Sequence, residues 1–217
     1  MGDGHALLLV GAGGHGRAVA DVAAAAGWMI AGFLDDSKVD APWPETSVLG
    51  PIHVLPRLLE EHPDYDVTVA IGDNAHRRQI VERFATFPIR FAAVVAPSAY
   101  ISPTATLEPG AVIMHHAVVH AGARIGAHAI VNTGATVDHD CQIGEYAHIS
   151  PGVHLAGDVV VGPQAHVGIG AVVVPRITIG SKAVVGAGAV VISDVPEGVT
   201  VVGVPARPVS ERSDPGA

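Results

Sequence analysis

Ile125-Gly126-Ala127-His128-Ala129-Ile130-Val131 is one link of the pattern that decides the fold. Stepping six residues at a time from Ile101 to Val191 meets an aliphatic side chain sixteen times without a break. The position four residues after each of these is Ala eleven times; the other five are Cys141, Val153, Val159, Ile177 and Val195. Glycine falls in other slots, as at Gly126, Gly144, Gly162, Gly180 and Gly186, directly after the aliphatic. A period of six fits neither a helix nor simple strand alternation, and a fixed period marks stacked repeats. Each unit is a short strand and a bend: the aliphatic points inward, the small residue lets the corner close, and glycine supplies turn conformations. No unit buries its own face, so units must stack. Three units make one triangular coil of a parallel β-helix, with successive coils about 4.8 Å apart. A sandwich of alternating strands would instead show period two broken by irregular loops.

The residues before the repeats read differently. Ala6–Val10 is a buried-strand run that leads into Gly11-Ala12-Gly13-Gly14-His15-Gly16. A helix over Arg17–Ala26 follows, with Gly27 as its stop. Strands are predicted over Met29–Leu34, Asp66–Ile71 and Ile89–Val95, and helices over Leu55–Glu61 and Ala75–Phe84, with Arg77, Arg78, Glu82 and Arg83 on the last one's polar side. Pro42, Pro44 and Pro51 mark a loop. Alternating strands and helices predict a small parallel sheet. The expected division is an α/β domain over 1–96, the β-helix over 97–196 and a tail over 197–217, irregular through Pro208 and disordered from Ser210.

Composition narrows the function. Twelve basic against 21 acidic side chains, a net charge of −9, argue against nucleic-acid binding and attachment to anionic membranes. One cysteine, Cys141, excludes an intramolecular disulfide; it sits in a small-residue slot and is expected as a buried spacer. No basic leader precedes Ala6–Val10 and no segment approaches transmembrane length, so a cytoplasmic location is expected. The Gly11-x-Gly13-x-x-Gly16 loop, with Asp35 downstream, matches a dinucleotide fingerprint. The sheet before the repeats is too short for a second mononucleotide half, which favours a nucleotide carried by a substrate over a nicotinamide cofactor.

Thirteen histidines invite a metal reading, above all His115, His116 and His120, which resemble part of the zinc site of β-helix carbonic anhydrases. The third ligand there would lie two coils upstream, at Gln79, outside the repeats, so no metal is expected. His148 and His166 should stack, one coil apart, as a solvated ladder. His139 stands apart, in a turn between Asp138 and Asp140, with small residues, Ala121 and Gly157, one coil on either side. That leaves room for a substrate, and either carboxylate could orient the ring.

Together the glycine loop, Asp35-Asp36, Gly72-Asp73-Asn74, the repeats, His139-Asp140 and the Gly203-Val204-Pro205-Ala206-Arg207 tail resemble the bacterial sugar-nucleotide N-acetyltransferases of the left-handed β-helix superfamily. The likeness extends to the UDP-4-amino-sugar and GDP-perosamine enzymes, and the layout is shared with sialic acid O-acetyltransferases. The left hand follows from the resemblance alone, since the crossover rule favours the right. The resemblance implies a homotrimer with acetyl-CoA in the groove between subunits and a nucleotide-linked amino sugar on the N-terminal domain. It implies sugar-nucleotide contacts at Gly13, Gly14, His15, Asp35, Asp36 and Gly72, acetyl-CoA contacts at His148, Ile169 and Ala187, and His139 as base beside Asp140. Ala187 departs from a glycine found in one branch. The backbone N–H of Gly157, one coil from His139, is the candidate donor to the oxyanion. Amine rather than hydroxyl acetylation is expected, because an amine is the better nucleophile.

Overall fold

In the computed structural model, residues 6–40 and 42–209 are described. The chain opens with β1 (Ala6–Val10), α1 (Gly14–Ala25), β2 (Met29–Leu34), β3 (Val48–Gly50), α2 (Leu55–Glu61), β4 (Asp66–Val69) and α3 (Asn74–Arg83). The sheet order is β3-β2-β1-β4, all parallel. β1 is buried at every residue, as a central strand covered on both faces must be. Leu7 and Leu9 pack with Val19, Ala20 and Ala23 of α1 on one face; Leu8 and Val10 pack with Leu55 of α2 and Ile80 of α3 on the other.

From Val94 onward two-residue strands recur every six residues and pair in parallel with the strand 18 residues on, as Arg124 with Gln142 and Ile130 with His148. Three ladders result, the three faces of a prism. Inside it the aliphatic and Ala rows are almost completely buried. The turn residues Asp140, Asp158 and Arg176 stack on one corner, and His128, Tyr146, Gln164 and Lys182 on another, all with positive φ. Side chains rarely adopt that conformation, and the corner imposes it.

The α/β domain docks on one face only. Val112, Met114 and Ile130 of that face join the cluster of Leu7, Val19 and Ala23, so one apolar core runs through the junction.

Three local expectations fail. Ile89–Val95 adds no strand to the first sheet: Phe91 makes a single bridge to Val67, and Val94–Val95 pairs with Val112–Ile113 as the first coil. The fourth strand is β3, whose three residues are too few to show a period amid prolines. The tail is ordered through Val209: Thr200–Val202 continues the docking face beside Val184–Val185, and Arg207–Pro208 folds back antiparallel onto it. The disorder expected from Ser210 lies outside the described residues. Among those residues no helix is long and apolar enough to cross a membrane.

Candidate active site

His139 sits on the corner between the two faces that the α/β domain leaves uncovered. Its side chain is 56% exposed, and Nδ1 meets Asp140 Oδ2 at 2.9 Å. Asp138 is turned to the backbone, accepting from His139 N–H at 2.7 Å. Asp140 is therefore the orienting carboxylate. An acceptor at Nδ1 fixes the proton there and leaves Nε2 as the free base. The Asp140 hydrogen bond raises the His139 pKa above its ordinary value, against slight desolvation, and the charges of Asp138, Asp140 and Asp158 add to the rise.

Gly157 has a different role from the one expected of a small neighbour. A Cβ there would collide with Nε2 and Cε1 of His139, so the glycine accommodates the imidazole itself. Among the described residues the Gly157 N–H donates to no acceptor. Cys141 is buried, its Sγ donating to Ala156 O at 3.2 Å, and burial pushes the thiol up to about 11, so it offers no thiolate near neutral pH.

Gly13, Gly14, His15, Asp35, Asp36 and Gly72 meet around one cavity of about 370 Å³. Gly16 packs so closely on the Gly11 carbonyl that no Cβ fits, which brings the start of α1 down to the cavity. Gly13 and Gly14 face open space. Asp35 spends its carboxylate on the loop: Oδ2 accepts from Ala12 N–H at 2.8 Å, and Oδ1 from the backbone of Ser37 and Lys38 and the Ser37 hydroxyl. Partial burial pushes this carboxyl up, but those donors outweigh it and hold the pKa below its ordinary value. Asp36 Oδ1 accepts from Ile52 N–H at 2.8 Å.

Gly72 also walls a second cavity of about 830 Å³ with Asn74, His148, His166 and Lys182. His148 stacks on His166 at 5.0 Å as the spacing requires, but it is buried beneath the Gly72 loop rather than solvated. Burial, then the charges of His166, Arg77 and His15, lowers His148 to about 3; burial and Arg77 lower His15 and His128 to about 4. Among the described residues none meets the buried His15 Nε2 or His128 Nδ1 with a hydrogen bond. Ile169 and Ala187 are exposed, one coil apart, on the corner between the docking face and the second face. Within one chain they do not join His139.

Arg77 does not lie on the solvated side of α3. Expected on the polar side of α3, it is 1% exposed. Its guanidinium reaches Ile71 O (2.8 Å), Gly72 O (3.3 Å), Asn74 Oδ1 (2.8 Å), His128 O (2.8 Å) and Tyr146 O (2.7 Å). Burial, partly offset by Asp73 and Tyr146, lowers it to about 10, so it stays a cation. Its neighbours Arg78 and Glu82 do form an exposed pair, as the polar side requires.

Of the histidines with metal-ligand spacing, His115 Nδ1 meets Ser98 Oγ at 2.8 Å and His120 lies beside the Tyr100 ring. No group of three His, Cys, Asp or Glu side chains able to hold a metal occurs among the described residues.

Comparison with known proteins bears on both halves of the chain. The PglD N-terminal domain matches residues 6–84, and the bacterial transferase hexapeptide (six repeats) matches 122–157. The acetyltransferase domain of PglB from Neisseria gonorrhoeae FA1090, solved with acetyl coenzyme A, is 42% identical over 95% of this chain and 100% of that one, with a TM-score of 0.90. PerB from Caulobacter crescentus, solved with CoA and GDP-perosamine, is 36% identical over 94% of this chain and 97% of that one, with a TM-score of 0.90. UDP-N-acetylbacillosamine N-acetyltransferase of Bacillus subtilis (strain 168) is 41% identical over 102 residues, 46% of this chain. That match spans 47% of the curated relative, about half its length. The chain belongs to the hexapeptide-repeat acetyltransferases with a PglD-type N-terminal domain, the family of PglB and perosamine N-acetyltransferase, built as an α/β half-domain followed by a left-handed β-helix.

Proposed function

We propose that this protein transfers acetyl from acetyl-CoA to the amine of a nucleotide-linked 4-amino-4,6-dideoxy sugar, directly and with His139 as general base. The observation that carries the reading is the exposed His139 imidazole, tied to Asp140 at Nδ1 and lying over a glycine whose N–H is unused. The sugar nitrogen attacks the thioester carbonyl and the C–N bond forms. Nε2 takes the proton that the nitrogen loses. The carbonyl oxygen gains charge, and the Gly157 N–H is the donor available beside Nε2. The C–S bond then breaks, and the CoA thiolate leaves with the proton from the imidazolium. No acyl-enzyme is needed, in keeping with a buried, protonated Cys141.

The nucleotide belongs on the glycine loop. Its open backbone at Gly13 and Gly14, at the start of the twelve-residue α1, suits a diphosphate. The loop and His139 lie on different sides of one prism, because the domain docks on one face and His139 occupies the opposite corner. A site that uses both draws them from two copies, and a closed homotrimer supplies three such sites. Acetyl-CoA then lies in the groove between copies, near His148, Ile169 and Ala187.

The test is release of free thiol from acetyl-CoA across a panel of nucleotide-linked 4-amino sugars. Release with at least one such sugar, and none with the matching 4-hydroxy sugar, is expected. Release only with hydroxyl acceptors, or none with any amine, would overturn the reading.

A further inference from the structure

Among the described residues no carboxylate lies in ion-pair range of Arg77; oxygen atoms of the backbone and of Asn74 receive its N–H groups instead. A buried cation is tolerated when hydrogen bonds satisfy it, and this one is spent on joining two parts of the fold. Two of its acceptors, Ile71 O and Gly72 O, belong to the loop after β4. Two more, His128 O and Tyr146 O, belong to the β-helix. Asn74 extends the seam: its Oδ1 accepts from Arg77, while its Nδ2 donates to Gln164 O at 3.0 Å. His128, Tyr146 and Gln164 hold the same corner of three successive coils, with φ of 56°, 57° and 59°. The loop is thus fastened along one edge of the prism at three levels.

A second grip comes from His148. Thr133 N–H donates to Asn132 Oδ1 at 2.8 Å, which turns the Asn132 amide nitrogen toward His148 Nε2, 3.1 Å away. Nε2 is then an acceptor, so the proton sits on Nδ1 and points to Gly72 O at 3.3 Å. The carbonyl that receives Arg77 also receives His148. Burial, then the charges of His166 and the adjacent Arg77, keep this imidazole neutral, as the arrangement requires.

We propose that Arg77 is a positioning residue for the transfer reaction: it locks the Gly72 loop, the wall shared by the two cavities, to the β-helix and so sets where the acceptor's amine stands. The proposal rests on the function proposed above. The loop carries the acceptor-side contact at Gly72 and touches the acetyl-CoA side only through His148, while Ile169 and Ala187 stand outside it, so losing the lock should misplace the sugar far more than it weakens acetyl-CoA binding. A misplacement of about 1 Å costs up to roughly a hundredfold in rate.

Arg77→Lys keeps the charge and removes the fork. With wild-type transfer measured first, the variant should lose about tenfold or more in kcat, with KM for acetyl-CoA within about twofold. The ¹⁵N resonances of the His148 ring, read without any substrate, should report a neutral Nδ1–H form in the wild type and move toward the average of the two tautomers in the variant. A folded Arg77→Lys protein with kcat within twofold of wild type overturns the proposal. So does a parallel loss in kcat and acetyl-CoA affinity, or a wild-type His148 that is charged or protonated at Nε2 near pH 7. If Arg77→Lys does not fold, Asn132→Ala decides, since it frees His148 from the opposite side. A severalfold drop in kcat is expected, and an unchanged kcat overturns the proposal. Absence of transfer by the wild type would refute the proposed function, whereas the His148 tautomer would still be read.

Discussion

Two corners of one prism carry the same residue type in opposite states. On one corner His139 stands in solvent among Asp138, Asp140 and Asp158, and its pKa is raised. Along the other, His128 is buried beside the Arg77 cation, as are His15 and His148 across the junction, and all three are held neutral. Each corner turns through a residue of positive φ, His128 on one and Asp140 on the other, so His139 sits one turn position earlier than His128, and the company differs as well. A base must be reachable and basic, so it needs carboxylates and water. A wall must not move or charge, so it needs burial and a cation. Repetition supplies the positions, and the variable turn residues decide what each corner does.

Emptying the exposed corner should have the largest effect. His139→Ala is expected to lower kcat by about a hundredfold or more, with acetyl-CoA affinity retained by calorimetric titration. Comparable loss of affinity would assign His139 to binding. Gly157→Ala follows. Its Cβ claims the space of the imidazole ring, so kcat should fall about tenfold while the thermal midpoint stays within a few degrees. Full activity in that variant would separate the ring position from catalysis.

The buried corner is tested by acid. Well above pH 6.5 His15, His128 and His148 are neutral whether the chain is folded or not, as is His166, whose pKa burial also lowers. Between 6.5 and about 4 only the unfolded chain takes up their protons, so stability falls as pH drops through that window. Urea denaturation should show a loss of several kcal/mol, on the order of 1.4 per pKa unit and discounted for relaxation. The raised His139 pKa works the other way, adding stability below 6.5 that fades as pH rises past its folded value; solvent exposure keeps that contribution minor. A flat profile would contradict the contrast between corners.

A finer change concerns Asp140→Asn. The carboxylate raises the His139 pKa, so its removal should move the acid limb of the kcat/KM profile to lower pH and reduce the plateau severalfold. An unmoved limb would assign the titration to another group. Smallest of all, Asp35→Ala frees Ala12 N–H and loosens the glycine loop, so sugar-nucleotide affinity should weaken by roughly a kcal/mol with CoA affinity unchanged.

Much of this was readable from residue order because the β-helix is a local code. Each aliphatic row states its own facing direction, so the prism, the outward turn at 139 and the His148–His166 stack follow from spacing alone. The glycine loop is equally local. Arg77 was not readable: an arginine on an amphipathic helix looks solvated, and its acceptors are carbonyls at His128 and Tyr146, which composition cannot reveal. A weak signal existed in the bulky His128, Tyr146 and Gln164, which continue a turn row that begins with Gly110. β3 escaped for the opposite reason, three residues being too few to show a period.

In the proposed oligomer the base of one copy serves the glycine loop of another. The most direct test of that arrangement mixes two inactive variants. His139→Ala removes the proposed base, and Gly13→Asp, where a side chain meets open space, sets a carboxylate where the diphosphate is proposed to bind. Co-expressed in equal amounts, they should recover about a quarter of wild-type thiol release, the statistical share of sites that draw both intact parts in a symmetric oligomer. Activity no greater than that of either variant alone would mean that base and loop must come from one chain, and would contradict the claim.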